Sequence, residues 1–257
     1  MEVSFSAVQG LPEIRPGEDL GGHIARSLQT GTLVPGERDV LIVAQKAVSK
    51  AEGCFVELDD VVPSAQAHRL AQITGKDPRF VEVVLRETEE VVRAAPNVLI
   101  VRHRLGFVMA NAGVDRSNVP ATHTARAARA RVLLLPRDPD GSAAALRQRL
   151  IELLGISLGV IVSDSFGRPW RRGVVNVALG CAGLPALIDR RGALDRNGRK
   201  LEVTEVAFAD AIAAGAGLVM GEAAESTPVV LARGLDWSAP ERDAGALLRP
   251  QSEDLFR

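Results

Sequence analysis

The chain contains 257 residues, of which 46% are hydrophobic and 25% are charged. This composition is typical of a folded globular protein and excludes a disordered or collagen-like chain. Because 31 Lys and Arg residues are balanced by 32 Asp and Glu residues, no basic surface for nucleic acid is indicated. No apolar run could cross a membrane, and the first residues lack the features of a signal peptide. With two widely spaced cysteines, Cys54 and Cys181, we expect a cytoplasmic protein without a disulfide framework.

In chain order, the apolar patterns of the first half alternate between short strands and helices. They predict a strand at 3–8, a loop at 11–17, a helix at 18–28, strands at 39–44 and 54–58, helices at 64–74 and 79–86, and a β-hairpin of 98–102 with 106–110. Ser64 is expected to be the N-cap of the second helix.

The second half is predicted to contain fewer and longer elements. They are a polar loop at 111–120, a strand at 132–135, a helix from 140 to 153 capped by Ser142, a strand at 158–162, a helix at 203–213 and a strand at 229–232. Residues 121–131, rich in Arg and Ala, fit either a helix or a flexible insertion, and 236–257 predict a loose tail. Strands and helices alternate with some short connections, so the fold class is mixed α/β with antiparallel pairing.

Familiar nucleotide and metal motifs are missing from the sequence. It has no P-loop, no dinucleotide-binding glycine pattern after a strand, and no zinc-protease motif. Its four histidines are scattered. Candidate chemistry must therefore come from polar segments next to predicted strands, which carry function more often than their share of the chain.

Four polar segments stand out in this way. They span residues 44–53, 111–118, 163–173 and 220–228. The first contains Lys46 and Lys50, two of only four lysines in the chain, and an ammonium group suits phosphate. A solvated turn is the alternative for this segment.

The other three segments offer oxygen ligands, arginines and small residues. Asp115 in the second and Asp164 in the third have the carboxylates that Mg²⁺ or Mn²⁺ prefers. An Asx-turn and a surface loop with Trp170 packed inward are their respective alternatives. Backbone N–H groups of the fourth could reach a phosphate chain. The residues alone outline metal-assisted phosphate chemistry on a scaffold without a P-loop, and they lead no further.

The combination of segments is more specific than any one of them. LPEI at 11–14, VSKAEG at 48–53, NAGVDRSN at 111–118, SDSFGRPWRRG at 163–173 and the segment 220–228 occur in that order. The chain thereby resembles the coenzyme F420-0:L-glutamate ligase family (the F420 gamma-glutamyl ligases), in its stand-alone form without a nitroreductase-like domain. The resemblance covers about residues 3 to 234.

The resemblance implies a GTP-dependent ligase that attaches L-glutamate to F420-0 and then adds a second glutamate through a γ-linkage. It implies two divalent cations, Mg²⁺ or Mn²⁺, and a monovalent cation such as K⁺. The implied fold is α+β, with mixed, largely antiparallel sheets, and forms an intertwined homodimer. The ligase domain would span residues 1–235, with small molecules as partners and neither nucleic acid nor a membrane.

Site residues are carried over position by position from this resemblance. Those matched to GTP contacts are Leu11, Pro12, Glu13, Ile14, Gln45, Lys50, Asn118, Met220, Gly221, Glu222, Ala223, Ala224, Glu225, Ser226 and Thr227. Those matched to metal ligands are Asp115, Asp164, Ser165 and Glu222. Gln45, Ser165 and Glu222 stand where the family commonly has Ser, Thr and Gln, so the Gln45 contact and the charge at the metal site are expected to differ.

A mechanism follows from the implied substrates. Phosphoryl transfer from GTP would activate the F420-0 carboxylate as an acyl phosphate, and the glutamate amine would displace phosphate. Lys50 would stabilise the developing charge, and Asp115 and Asp164 would act as catalytic metal ligands. A ligase with another carboxylate acceptor and a non-catalytic nucleotide-binding protein are the alternatives.

Overall fold

The computed structural model describes residues 2–117, 122–124 and 127–254, so the expected site residue Asn118 lies outside the described residues. The helices are α1 (Leu20–Thr30), α2 (Gln45–Ala51), α3 (Ala65–Thr74), α4 (Pro78–Arg86), α5 (Pro139–Leu154) and α6 (Phe208–Met220). The strands are β1 (Ser4–Ala7), β2 (Val40–Ala44), β3 (Phe55–Glu57), β4 (Thr88–Ala95), β5 (Val98–His103), β6 (Val108–Ala110), β7 (Thr122–Thr124), β8 (Ala127–Arg129), β9 (Arg131–Leu133), β10 (Gly159–Arg168), β11 (Arg171–Ala182), β12 (Leu187–Asp189), β13 (Glu205–Ala207) and β14 (Val229–Arg233). The fold is mixed α+β. None of the described helices is long and apolar enough to span a membrane.

A five-stranded sheet forms the centre of the molecule, with the strand order β1-β14-β2-β10-β11. Only β2 and β10 run parallel among its pairs, and the other neighbours are antiparallel. Val40, Leu41, Ile42 and Val43 of β2 are all fully buried. A strand covered on both faces needs apolar side chains at consecutive positions, which explains the unbroken apolar run.

Helices cover both faces of this sheet. Leu41 and Val43 of β2 pack in one core with residues of α1 and α5, such as Ile24 and Leu150. The alternate residues of the same strand pack in a second core with α6, whose Ile212 lies against the sheet. Because side chains alternate along a strand, one short apolar run supplies both layers.

A second unit packs α3 and α4 with the antiparallel sheet β4-β5-β6 around a core that includes Val84, Leu99 and Val101. Two backbone hydrogen bonds, of 3.0 and 2.9 Å, join Asp115 to Leu133 at the end of β9. Leu134, which follows β9, donates its N–H to the carbonyl of Cys54, 2.9 Å away. These bonds hold Asp115 close to the segment that follows α2.

Most of the predicted elements are confirmed, including the strands at 3–8, 39–44 and 229–232 and the hairpin at 98–110. Ser64 caps α3, since its side chain accepts the N–H of Ala67. In the Arg-rich segment predicted as a helix or a flexible insertion, the described residues form the paired antiparallel strands β7 and β8 and the start of β9. Strand β4 was not predicted, because half of its residues are exposed, none is fully buried, and they lack a clear apolar alternation.

Two of the four polar segments that the sequence singled out are regular structure. The first, at 44–53, is largely the helix α2, which starts directly after β2. The second, at 163–173, is the turn and flanking strands of a long hairpin, because β10 continues past Val162 to Arg168 and pairs with β11. Backbone pairing with β11 keeps this polar stretch extended, which an apolar pattern cannot reveal.

The helix predicted at 203–213 is wrong in its bounds. The chain forms β13 first and then α6, which runs to Met220. Its glycines lower helix propensity, but they allow close packing: a Cβ at 215 would lie 2.4 Å from the ring of Phe5. Close contact with the sheet therefore stabilises a helix that local preference disfavours.

Two further predictions near the helix α5 are wrong. The cap is Asp138, whose carboxylate accepts the N–H of Gly141, rather than Ser142. The tail from 236 is not loose, because Ala244 is almost fully buried in the α6 core. Asp140 accepts hydrogen bonds from the N–H groups of Cys181 (2.8 Å) and Ala244 (2.9 Å), which attach the tail to β11.

Candidate active site

A cavity of about 760 Å³ opens where the parallel pairing of β2 with β10 ends, at Ala44 and Ser163. Ligand sites in sheets with parallel strands commonly lie at the carboxyl ends of those strands, because the loops and helix N-termini there can turn toward the ligand. The chain contributes five segments to the walls. The lining residues are Leu11, Pro12, Glu13, Ile14, Ala44, Gln45, Lys46, Ala47, Lys50, Ser163, Asp164, Ser165, Asn176, and the run from Met220 to Pro228.

Helix α2 places two lysines one turn apart beside the cavity. Lys50 is largely buried, and its Nζ lies 3.7 Å from Glu13 Oε1 on the opposite segment. Gln45 is also buried, and its Oε1 accepts a hydrogen bond of 2.9 Å from Ser49 Oγ. The residue that departs from the family pattern therefore has an internal partner in its own helix.

Lys46 connects α2 to the segment 111–118, which contains Asp115. Its Nζ lies 2.6 Å from Asp115 Oδ2 and 2.6 Å from Ser117 Oγ. Ser117 in turn donates its N–H to Asp115 Oδ1, over 2.7 Å. Burial would raise the pKa of Asp115, but the hydrogen bonds from Lys46 and Ser117 outweigh it and hold that pKa below its ordinary value.

Asp164 has the opposite electrostatic environment. Burial raises its pKa to about 7, although the N–H of Ser165 and the charge of Lys46 act against the rise. The negative charges of Asp115 and Glu222 raise it further. Three carboxylates thus act on one another at this end of the cavity, and Lys46 is the cation that acts on Asp164.

These oxygens are of the type that divalent cations bind. Carboxylate and hydroxyl oxygens suit Mg²⁺ and Mn²⁺, and a cation would relieve the mutual repulsion that Asp164 experiences. Within the described residues, no three His, Cys, Asp or Glu side chains are already close enough together to hold an ion. The donor set fits such a cation in its chemistry, and its members come from separate elements.

The segment after α6 forms a tight turn at the rim of the cavity. Gly221 adopts a positive φ of 71° and ends the helix. Glu225 accepts the N–H of Ala223 at 2.8 Å, and this backbone hydrogen bond lowers its pKa. Glu225 therefore holds the shape of the turn.

The family of this chain is identified by its similarity to known proteins. The model of the F420-0:Gamma-glutamyl ligase family matches residues 10–234. A protein named coenzyme F420:L-glutamate ligase from Methanopyrus kandleri is 49% identical over 250 residues, which cover 95% of this chain and 94% of that protein. The chain belongs to the F420-0:gamma-glutamyl ligase family.

Two further relatives carry the same name and match along the full length. The ligase from Methanothermobacter thermautotrophicus is 43% identical over 259 residues, covering all of both chains. The ligase from Archaeoglobus fulgidus is 42% identical over 257 residues, covering 100% of this chain and 97% of that protein. The family resemblance drawn from the motifs is thereby confirmed.

The structure of this family member brings together nearly all residues that the motifs singled out. Every described residue matched to GTP lines the cavity, and so do Asp164 and Ser165. Asp115 does not line it directly but contacts its wall through Lys46. The arginines of the β10–β11 turn are not among the lining residues, and Arg168 donates to the carbonyl of Arg172 over 3.0 Å.

Sequence reasoning assigned no role to three polar lining residues, Lys46, Ser163 and Asn176. Lys46 was noted as one of a pair, and helical spacing from Lys50 is the signal that could have found it. Ser163 lies in the segment 163–173 that the motifs singled out, whereas Asn176 had no such signal, since only the pairing of β10 with β11 brings it opposite Ser165.

Proposed function

We propose that the protein is a GTP-dependent ligase of the cytoplasm that joins L-glutamate to coenzyme F420-0 and then adds a further glutamate in γ-linkage. The observation that carries the proposal is the cavity itself. Three separate segments matched to GTP contacts, at Leu11–Ile14, on α2 and at Met220–Thr227, form the walls of one space. The proposed acceptor, F420-0, comes from relatives named coenzyme F420:L-glutamate ligase that match along almost their whole length.

The reaction has to activate a carboxylate, which is a poor acyl donor. The γ-phosphoryl group of GTP would pass to a carboxylate oxygen of F420-0, giving an acyl phosphate and GDP. The amine of glutamate would attack the acyl carbon, inorganic phosphate would leave with that oxygen, and the nitrogen would lose a proton. This sequence needs no enzyme nucleophile, and catalysis is positioning and charge stabilisation.

Lysines of α2 supply the positive charge for this transfer. Lys50 faces the Leu11–Ile14 segment across the cavity, where its largely buried ammonium would neutralise charge on the moving phosphoryl group. Buried charges act strongly because little water screens them. Backbone N–H groups of the turn after Met220 would orient the nucleotide.

The carboxylates would bind the divalent cations that accompany the nucleotide. Asp115, Asp164, Ser165 and Glu222 are the residues that would hold two Mg²⁺ or Mn²⁺ ions, and K⁺ is proposed as a further activator. When bound, the divalent ions neutralise the triphosphate and keep its reacting oxygens in line. Lys46 is paired with Asp115 in the structure. With the nucleotide bound, its ammonium group would instead contact phosphate oxygens.

The activity test uses the whole protein with GTP, Mn²⁺, L-glutamate and F420-0. We expect release of GDP together with a mass increase of one and then two glutamates. Asp115→Asn and Asp164→Asn should abolish GDP release while the folded protein remains. Turnover that is unchanged in both variants would show that the metal assignment is wrong.

Two outcomes would replace the proposal. GDP formed only with a different carboxylic acid would indicate another acceptor, and tight GTP binding without any turnover would indicate a non-catalytic binding protein. The acyl phosphate is tested separately with F420-0 labelled with ¹⁸O in its carboxylate. Label should appear in the released phosphate, and its absence there excludes this intermediate.

The proposed assembly is the intertwined homodimer of the family. Large apolar side chains remain exposed on the single chain, among them Leu218 (89% exposed) and Val203 (85% exposed). Such surfaces are commonly covered in oligomers. Light scattering should give twice the mass of the chain, and Leu218→Glu should shift it toward the monomer if this helix lies in the interface.

A further inference from the structure

One buried amide beside the cavity lacks the partner that its position demands. Asn176 is only 7% exposed, yet its Oδ1 has no hydrogen-bond partner among the described residues. Its Nδ2 contacts Met220 Sδ at 3.6 Å, and a thioether is a weak acceptor. Asn176 also lines the cavity.

Such an arrangement is costly for the protein alone. A buried polar atom without a partner loses its hydrogen bonds to water and gains nothing in return. The structure nevertheless makes room for this side chain, because a Cβ at Gly217 of α6 would lie 2.9 Å from Asn176 Cγ. The amide therefore occupies a place where an apolar side chain would be more stable.

The position of Asn176 indicates which ligand would complete it. In the β10–β11 pairing it lies directly opposite Ser165, so these two side chains share a face of the hairpin, and both line the cavity together with Asp164. Asp164 is the group whose charge is opposed by Asp115 and Glu222. An acceptor oxygen added to this electronegative end attracts a cation and repels phosphate oxygens.

We propose that Asn176 is a binding residue of the cavity and that its Oδ1 receives the hydrated divalent cation that accompanies the nucleotide. The inference rests on the proposed function, because that function supplies a nucleotide–cation complex as the ligand. It adds a residue that none of the motifs contains, and a reason for its burial. Asn176 contacts the ligand and takes no part in moving protons or phosphoryl groups.

The test compares Asn176→Leu, which removes the polar atoms at similar size, with Asn176→Asp, which keeps an acceptor. Calorimetry measures the Kd of GTP with and without Mg²⁺. Loss of a hydrogen bond to a charged group should weaken Mg²⁺–GTP binding by Asn176→Leu about tenfold to a hundredfold. Binding of GTP without Mg²⁺ should be unchanged, and Asn176→Asp should retain the Mg²⁺ effect.

The stability of the empty protein gives an independent readout. Asn176→Leu should unfold at the same or a higher urea concentration than the wild type, since it removes an unpartnered buried amide. A clear loss of stability with unchanged Mg²⁺–GTP affinity would overturn the inference and show a structural role. Equal weakening with and without Mg²⁺ would overturn the cation assignment, and a wild type that binds no GTP at all would instead refute the proposed function.

Discussion

At the scale of single residues, the electrostatics of the site depend on which charged side chains lie next to each other. The sequence shows lysines in one segment and aspartates in two others, and each type alone has a simple structural alternative. The structure joins Lys46 to Asp115 at 2.6 Å and leaves Asp164 with a pKa of about 7. One carboxylate is thus charge-paired and its neighbour is not, a difference that depends on distances in space and not on residue type.

A residue-scale prediction concerns the pH dependence of stability at Glu87, which lies outside the cavity and contacts His103 and Arg104. His103 Nε2 lies 3.4 Å from Glu87 Oε2, and Arg104 Nε donates a hydrogen bond of 2.9 Å to the same oxygen; the interactions with His103 and Arg104 lower the pKa of Glu87. A lowered carboxyl pKa stabilises the fold above the ordinary value near 4.5, and that stability is lost as pH falls through the lower, folded-state pKa.

We therefore expect Glu87→Gln to lose about 1 kcal/mol of unfolding free energy at pH 7 and much less near pH 3. Urea unfolding at both pH values measures the difference between variant and wild type. Glu202→Gln, at an exposed position, is the control and should show little change at either pH. A Glu87→Gln loss that is the same at pH 7 and pH 3 would contradict the assigned pKa.

At the scale of elements, termini and pairings matter more than apolar patterns. Helix α2 begins directly after the last residue of β2, so the segment that looks like a polar loop presents Lys46 and Lys50 at helical spacing. The β10–β11 hairpin extends polar residues because each is hydrogen-bonded to a partner strand. Both are consequences of backbone hydrogen bonding, which sequence pattern reports only indirectly.

The capping of α5 gives an element-scale prediction. Asp138 Oδ1 accepts the N–H of Gly141 over 3.0 Å, which satisfies a donor that the helix leaves free. Asp138→Ala should therefore lower the unfolding free energy by about 1 kcal/mol, whereas Asp138→Asn should keep most of it, because Asn caps comparably. Chemical denaturation measures both, and equal losses in the two variants would argue against the cap.

At the scale of the whole molecule, two units and a packed tail hold the cavity in place. Among the described residues, the second unit contacts the cavity wall through Lys46, whose Nζ reaches Asp115 and Ser117, and the Asp115–Leu133 bridge holds this segment in place. The tail packs on the face of the sheet that α6 covers, where Ala244 is buried, and Asp140 accepts hydrogen bonds from Ala244 of the tail and Cys181 of β11.

The packed tail yields a prediction for the molecule as a whole. Ending the chain after Leu235 would expose the apolar surface that Ala244 and Leu247 cover and remove a hydrogen bond of Asp140. We expect a loss of about 2–4 kcal/mol in unfolding free energy. Asp140→Ala in the full chain should shift in the same direction, measured by urea unfolding and limited proteolysis. A truncated protein as stable as the full chain would restore the loose tail predicted from sequence.

The sequence by itself determined the fold class, most of the strands and helices, and the family, together with the motif residues of the candidate site. These properties are local: apolar runs, caps and ordered motifs are written in consecutive residues. It placed neither the continuation of β10 nor the bounds of α6, because partner strands and close glycine packing outweigh local preference there.

Only the tertiary structure decided which motif residues share a cavity, that Lys46 neutralises Asp115, and that Asn176 reaches the same space. The physical reason is that the interactions which form the site act over short distances in space. Charge pairing, burial and the satisfaction of polar atoms depend on distances of a few ångströms between residues far apart in the chain. A sequence shows which groups are available, and folding determines which of them lie close enough to act together.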